Sequence, residues 1–300
     1  MPGHGCGQGV DLTRKKARGD SEEIASGGVT NVGRVRTNNE DCFRIVEPMN
    51  LFVLSDGMGG EAHGEIASAL AVETVVQHCQ ETENNPAMTI FGDMPAVWSE
   101  KTKRLSSAVH LANKSIYDSA QTHPDQRGMG ATVTAAWIDG PRLSIAHVGD
   151  SRAYLLRSGT LQQLTSDHSL VAEQVRRGIL TPAEAERSEM QSVLLRALGA
   201  HPEIEVDSEE HTLFGNDVLL LCSDGLTRMV TEPEIAGTLQ AELDPTKASE
   251  RLVELANEQG GADNVTAVVV RIGGKAKGWF SWLRGGDRKT AQKNGSAGGK

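Results

Sequence analysis

Long apolar runs are missing from this chain. No stretch of its 300 residues approaches the roughly 18 consecutive apolar positions of a membrane-spanning helix, and the opening MPGHGCGQGV lacks the apolar core of a signal peptide. Cysteine is scarce. Cys6, Cys42, Cys79 and Cys222 lie far apart with no Cys-x-x-Cys pair, which argues against a disulfide framework or a zinc site and for reduced thiols in a cytoplasmic protein. The histidines form no His-Glu-x-x-His or related pattern. Surplus positive charge is absent too: a net charge of −10 argues against nucleic acid as the main partner, because that affinity rests on neutralising phosphates. The Gly-rich GHGCGQG follows no strand and precedes no phosphate-loop lysine, so it is not read as a nucleotide site.

What is present suits a folded enzyme-sized chain. At 38% hydrophobic and 23% charged, it can bury a sizeable core and remain an ordinary soluble protein. Residues 1–26 are polar and Gly-rich with a basic cluster at Arg14, Lys15, Lys16 and Arg18, and read as a disordered leader. From 27 to 272 the text is dense with elements. One-sided apolar stripes predict helices over 64–80 (Ile66, Ala69, Leu70, Val72, Val75, Val76, Cys79) and 100–121 (Leu105, Val109, Ala112, Ile116). Strands follow at 132–138, 143–148, 153–156 and 161–164, the last two joined by a Ser158-Gly159 hairpin turn. Residues 167–198 are charged, with short helical pieces and Thr181-Pro182 as a helix start, and read as an inserted mobile subdomain. A strand at 217–222, helices near 232–240 and 246–259, and a strand at 265–272 complete the pattern, which predicts antiparallel sheets with helices outside them. The tail, 273–300, carries seven Lys/Arg and one acid, with Trp279, Phe280, Trp282 and Leu283 interleaved. Such a segment can lie weakly on a membrane or dock on a partner, or simply be solvated.

The chemistry is concentrated where apolar runs break off. LFVLSDG (51–57) and LLLCSDG (219–225) each end in Ser-Asp-Gly, and LSIAHVGDS (143–151) ends in Gly-Asp-Ser. A carboxylate has no place inside a dry sheet, but a strand end gives it access to solvent or an ion. If Asp56, Asp150 and Asp224 converge, each pair at about 4 Å repels by roughly 4 kcal/mol at an effective dielectric of 20. A hard divalent cation with oxygen ligands would relieve that repulsion. Other short pieces join them: GRVRTNNED (33–41), DGMGG (56–60), GMGAT (128–132) and ADNV (262–265). If 33–41 is extended, Arg36, Asn38 and Glu40 share one face. Taken singly, each piece is an ordinary turn, loop or surface ion pair.

Taken together and in this order, they resemble the metal-dependent Ser/Thr protein phosphatases of type 2C, in their bacterial form. VGRVRTNNED, SDGMGG, GMGAT, HVGDSRAYLLRSG, QLTSDHSL, LLRALG, LLLCSDGL and GGADNVTAVVV carry the resemblance from about Gly28 to Ile272. It implies an α+β fold, a four-layer α-β-β-α sandwich of two antiparallel sheets flanked by helices, with 27–272 as catalytic domain and 167–198 as its flap. It implies two Mn²⁺ or Mg²⁺ ions and a third, weaker one. Asp56 would bridge the pair, with the Gly57 carbonyl on one ion and Asp224 and Asp263 on the other. Asp150 and Asp224 would share the third ion, and Glu40 and Asp41 would act through waters. Arg36 would grip the phosphate while water attacks phosphorus without a phosphoenzyme intermediate. Substrates would be proteins phosphorylated on Ser or Thr, among them a Ser/Thr kinase and its targets, and the enzyme a monomer. Two departures stand out. Met58 occupies the place of a histidine in eukaryotic relatives, so the leaving oxygen must take its proton from a metal-held water or another group; His63 reads as a capping or surface residue. Ala131 replaces the first of two threonines. Rival readings are a non-catalytic scaffold, which predicts lost metal ligands, and a phosphatase devoted to one small partner, which predicts a diverged arginine motif.

Overall fold

Alternate positions along each strand decide the architecture. The structure, a computed structural model, describes residues 24–59, 63–92 and 94–273. With strands numbered along the chain, one sheet runs β1 (Ile24–Asn31), β11 (Val265–Ile272), β10 (Val218–Cys222), β7 (Arg152–Arg157), β8 (Thr160–Gln163). The other runs β2 (Asp41–Val46), β3 (Leu51–Met58), β5 (Val133–Asp139), β6 (Arg142–Val148), β9 (Asp207–Thr212), with the short β4 (Gly130–Ala131) paired to the end of β3. All pairings are antiparallel.

Three apolar layers separate four structural ones. On β3, Phe52 and Leu54 meet Leu219, Leu221, Val268 and Val270 of the opposite sheet. Leu51 and Val53 point the other way, onto Ala67, Ala71 and Val75 of α1 (Gly64–Asn84) and Leu105, Val109, Ala112 and Ile116 of α2 (Glu100–Thr122). On the far side, Tyr154, Leu220 and Val269 pack against α6 (Glu232–Ala241) and α7 (Pro245–Glu258) through Ile235, Leu239, Leu252 and Ala256. The central strands thus have two buried faces, which is why they read as unbroken apolar runs. Each fully buried Leu, Val or Phe contributes about 1.5–3 kcal/mol. The four-layer α-β-β-α sandwich expected from the sequence is the observed fold.

Local chemistry sets the element ends. The hairpin between β7 and β8 has positive φ at both Ser158 (+50°) and Gly159 (+86°), the backbone of a type I′ turn. In 167–198 lie α3 (Leu170–Arg176) and α4 (Pro182–Ala185), the latter opened by a capping box of Thr181 and Glu184. The α2 stripe is buried as predicted; in α1, Ile66 turns outward and Ala67 and Ala71 take the core positions. The N-terminal boundary also moves. Ile24, Ala25 and Ser26, assigned to the leader, are the first residues of β1 and pair with Ile272, Arg271 and Val270. β9 escaped prediction because its sequence, DSEEHT, is polar throughout, a composition suited to a charged sheet edge. The thiols are free and buried at Cys79 and Cys222, but Cys42 is disulfide-bonded, so the expectation of four reduced cysteines does not hold. The leader up to residue 23, Gly60 of the SDGMGG motif and the aromatic tail beyond 273 lie outside the described residues.

One buried side chain makes the fold pH-sensitive. His147 of β6 meets Thr134 Oγ1 at 3.0 Å through Nδ1, while its buried Nε2 has no partner. Burial, reinforced by His168, lowers its pKa from 6.5 to about 4. The unfolded chain therefore binds this proton first, so its contribution to stability is complete above about pH 6.5 and disappears as pH falls toward 4. In thermal melts across that window, His147→Gln should lose less stability on acidification than the parent; parallel profiles would refute the role.

Candidate active site

Strand ends from both sheets open onto one cavity of about 360 Å³. Asp56 enters from the end of β3, Asp224 follows β10, Asp263 precedes β11, and Asp150 sits in the corner between β6 and β7. Arg36, Asn38, Glu40, Gly57, Met58, Thr132 and Arg228 complete most of the wall, and Ser192 and Leu194 of the 167–198 insertion close one side. The three Asp-terminated runs singled out in the sequence thus do converge.

Close backbone approach explains the glycines that follow two of these aspartates. A Cβ on Gly57 would fall 1.9 Å from the Gly64 carbonyl oxygen, and one on Gly225 would fall 2.0 Å from that of Asn264. Any larger residue would push β3 off the start of α1, or α5 (Asp224–Thr227) off the 262–264 turn. Thr132 ties two acidic corners together. Its Oγ1 accepts from the Asp56 amide at 3.0 Å and meets Ser151 Oγ at 2.7 Å. His168 fixes the corner that bears Asp150. Its Nδ1 accepts from the Gly149 amide at 3.1 Å, leaving Nε2 to donate to Asp207 at 3.1 Å.

The 33–40 segment is not extended as the alternation argument supposed; residues 33–35 form a turn. It is pinned by Asn264, whose Nδ2 donates to the carbonyls of Val32 (3.0 Å) and Asn38 (2.8 Å) and whose Oδ1 accepts from the Glu40 amide at 2.8 Å. Arg36, Asn38 and Glu40 still reach one wall, but through this clamp and not through strand periodicity. Asn264 was quoted in the motif without a role; three bonds from one side chain give it one. Met58 lines the cavity and, among the described residues there, no histidine does. His63 stands at the N-cap of α1 without a side-chain capping bond.

Charge is the dominant strain in this site. Asp56 is held well above the usual carboxylate range, first by burial and then by Asp41, Asp224, Asp150 and Asp263. Burial and Asp224 raise Asp150 to about 7. Asp41 lies beneath the cavity, its Oδ2 accepting from Thr266 Oγ1 (2.6 Å) and Ser223 Oγ (2.8 Å), and burial raises it to about 7. Burial likewise raises Glu40, against the pull of Arg36. Asp41 Oδ1 and Asp224 Oδ1 are buried without any hydrogen-bond partner. Among the described residues no three acidic, histidine or cysteine side chains close into a ready ligand cluster. Instead, Arg36 meets Asp263 at 2.9 Å and Arg228 meets Asp224 at 2.5 Å. Hard oxygen donors, with Asp224 Oδ1 unsatisfied among them, and room for water fit Mn²⁺ or Mg²⁺, which keep several waters and take few protein ligands.

Comparison with known proteins agrees. The sequence profile described as Protein phosphatase 2C matches residues 33–259. The serine/threonine phosphatase stp of Listeria welshimeri is 36% identical over 244 residues, covering 80% of this chain and 93% of that protein. The crystal structure of the Mycobacterium tuberculosis serine/threonine phosphatase PstP/Ppp superposes with a TM-score of 0.73 at 37% identity, covering 83% of this chain and 99% of that one. The catalytic domain of PstP in complex with two manganese ions gives 0.71 at 36% identity, covering 83% and 98%. Fold and pocket together define a metal-dependent Ser/Thr protein phosphatase. This chain belongs to the protein phosphatase 2C family.

The clamp is testable apart from the carboxylates. Asn264→Ala removes all three bonds to the 32–40 segment and should lower the melting temperature by several degrees, on the order of 1–3 kcal/mol. It should also raise KM for a phosphopeptide more than it lowers kcat, since Arg36 loses its anchor. An unchanged KM would show that the segment holds its place without Asn264.

Proposed function

We propose that this protein removes phosphate from phosphoserine and phosphothreonine in other proteins, with Asp56, Gly57, Asp224 and Asp263 holding two Mn²⁺ or Mg²⁺ ions and Arg36 holding the substrate phosphate. The observation that supports these roles most is the convergence of all five residues on one cavity. Ions bound there supply Lewis acidity and a water acidified to near-neutral pKa. The protein's own part is to gather the carboxylates, keep the cavity walled, and orient the ester.

Arg36 suits its role by chemistry and by placement. Its guanidinium offers paired N–H donors to two phosphate oxygens, which a lysine cannot do. Its side chain is half exposed and, among the described residues, ion-paired with Asp263; an exposed pair of this kind is worth only about 0–1 kcal/mol, so an incoming phosphate can recruit it at little cost. Glu40 and Asp41 support the site from the side and from below, Asp41 by way of Ser223 and Thr266. Ser192 and Leu194 line the cavity, which supports a substrate-facing role for the 167–198 insertion. With Met58 where a histidine could stand, the leaving oxygen must draw its proton from a metal-held water or another group.

The physiological reading we propose is reversal of Ser/Thr kinase signalling in the cytoplasm by a monomer, with the kinase and its targets as substrates; it is supported by the likeness to bacterial Ser/Thr phosphatases. Among the described residues no helix is long and apolar enough to cross a membrane. The contact proposed for the 273–300 tail rests on its sequence alone.

Asp56→Asn and Asp224→Asn should each abolish turnover of a phosphopeptide at saturating Mn²⁺, and appreciable residual rates would contradict the assignment. Arg36→Lys should raise KM about ten- to a hundredfold, as expected for loss of a charge-assisted bidentate contact, with a smaller change in kcat. Hydrolysis of p-nitrophenyl phosphate should vanish in EDTA and return with Mn²⁺; a metal-independent rate would count against the mechanism.

A further inference from the structure

Among the described residues lining the cavity, two carry positive charge: Arg36 and Arg228. Arg36 belongs to the motif discussed above, whereas no part of the proposed reaction uses Arg228. It lies one helical turn after Asp224, its amide donating to the Asp224 carbonyl at 2.9 Å. Its Nη2 stands 2.5 Å from Asp224 Oδ2 and 3.8 Å from Asp150 Oδ2, and its Nη1 stands 3.9 Å from Asp263 Oδ2. The guanidinium therefore sits against Asp224 and within ion-pair range of both Asp150 and Asp263, beside the Asp150–Asp224 pair expected to share a third ion.

We infer that Arg228 is the resident cation of the Asp150–Asp224 pair and closes the third-ion position with the protein's own charge. The inference rests on the two-ion reading above and narrows it. Other nearby cations are committed elsewhere. Arg152, next in sequence but one to Asp150, is held by Asp167 through contacts of 2.9 and 2.7 Å, and Arg36 is turned to Asp263. Among the described residues Arg228 is the sole cation in ion-pair range of both Asp150 and Asp224. A guanidinium stays charged at any working pH. It is also tethered, so no dilution removes it, and an incoming divalent ion must break its charge-assisted bond to Asp224. That competition weakens the ion by about tenfold or more.

Titration of the metal-free full chain with Mn²⁺ in a calorimeter tests this, alongside melting in EDTA. The parent should take up two ions. R228M, similar in length but neutral, should take up a third, with its weakest step tightened at least about tenfold, or about 1.4 kcal/mol. R228K, which keeps the charge, should stay at two. In EDTA, R228M should melt below the parent and recover with Mn²⁺, which also shows that the variant folds. A third ion bound equally well by parent and R228M, or by neither, overturns the inference and leaves the two-ion site standing. A raised KM for phosphopeptide with unchanged Mn²⁺ stoichiometry would overturn it in favour of a substrate contact. Absence of any Mn²⁺ binding would overturn the metal reading along with it.

Discussion

Repulsion among buried carboxylates is the constraint on which this structure turns. Burial, and then the neighbouring acids with Asp263 among them, raises the proton affinity of Asp41, Asp56, Asp150 and Asp224. No hydrophobic packing offsets such a cost locally. The fold tolerates it by spreading the acids over separate strand ends and supplying guanidinium groups between them. Stability alone gives no reason to gather these aspartates in one buried place; the proposed cation site gives one.

The two sheets exist, in this sense, to hold the acids. Period-two packing locks each central strand between two apolar layers, so a one-residue slip would turn every buried side chain to the wrong face. Such rigid register delivers Asp56, Asp224 and Asp263 to the same edge. The loops beyond the strands are then trimmed by short-range devices: the Gly57 and Gly225 close approaches, the Thr132–Ser151 hydroxyl pair, and the Asn264 clamp. These loops carry the residues proposed for the reaction, and the loops in turn depend on the sheets.

Much of this could be read from the chain. Apolar runs ending in Asp revealed both the doubly buried strands and the place where acids gather, and the α2 stripe matched its buried face. What stayed hidden was set by partners distant in sequence. β9 is charged along its length and becomes a strand only because β6 offers it an edge. The 33–40 segment looked extended, but its path is dictated by an asparagine more than two hundred residues away. Arg228 sits in no recognisable pattern; only the turn of α5 brings it against Asp224. The periodicity of α1 pointed Ile66 inward, whereas Ala67 and Ala71 allow the helix to lie closer to α2 and β3.

The pairing of β1 with β11, reinforced by the Asn264 clamp, joins residues 24–31 to residues 265–272. During synthesis on the ribosome β1 must therefore wait for this partner until residues 265–272 have emerged. Arg36 and Asp263 cannot face each other before then. A chain cut short of residue 263 carries Asp56, Asp150 and Asp224 but lacks Asp263 and the Asn264 clamp, so the proposed site is completed late.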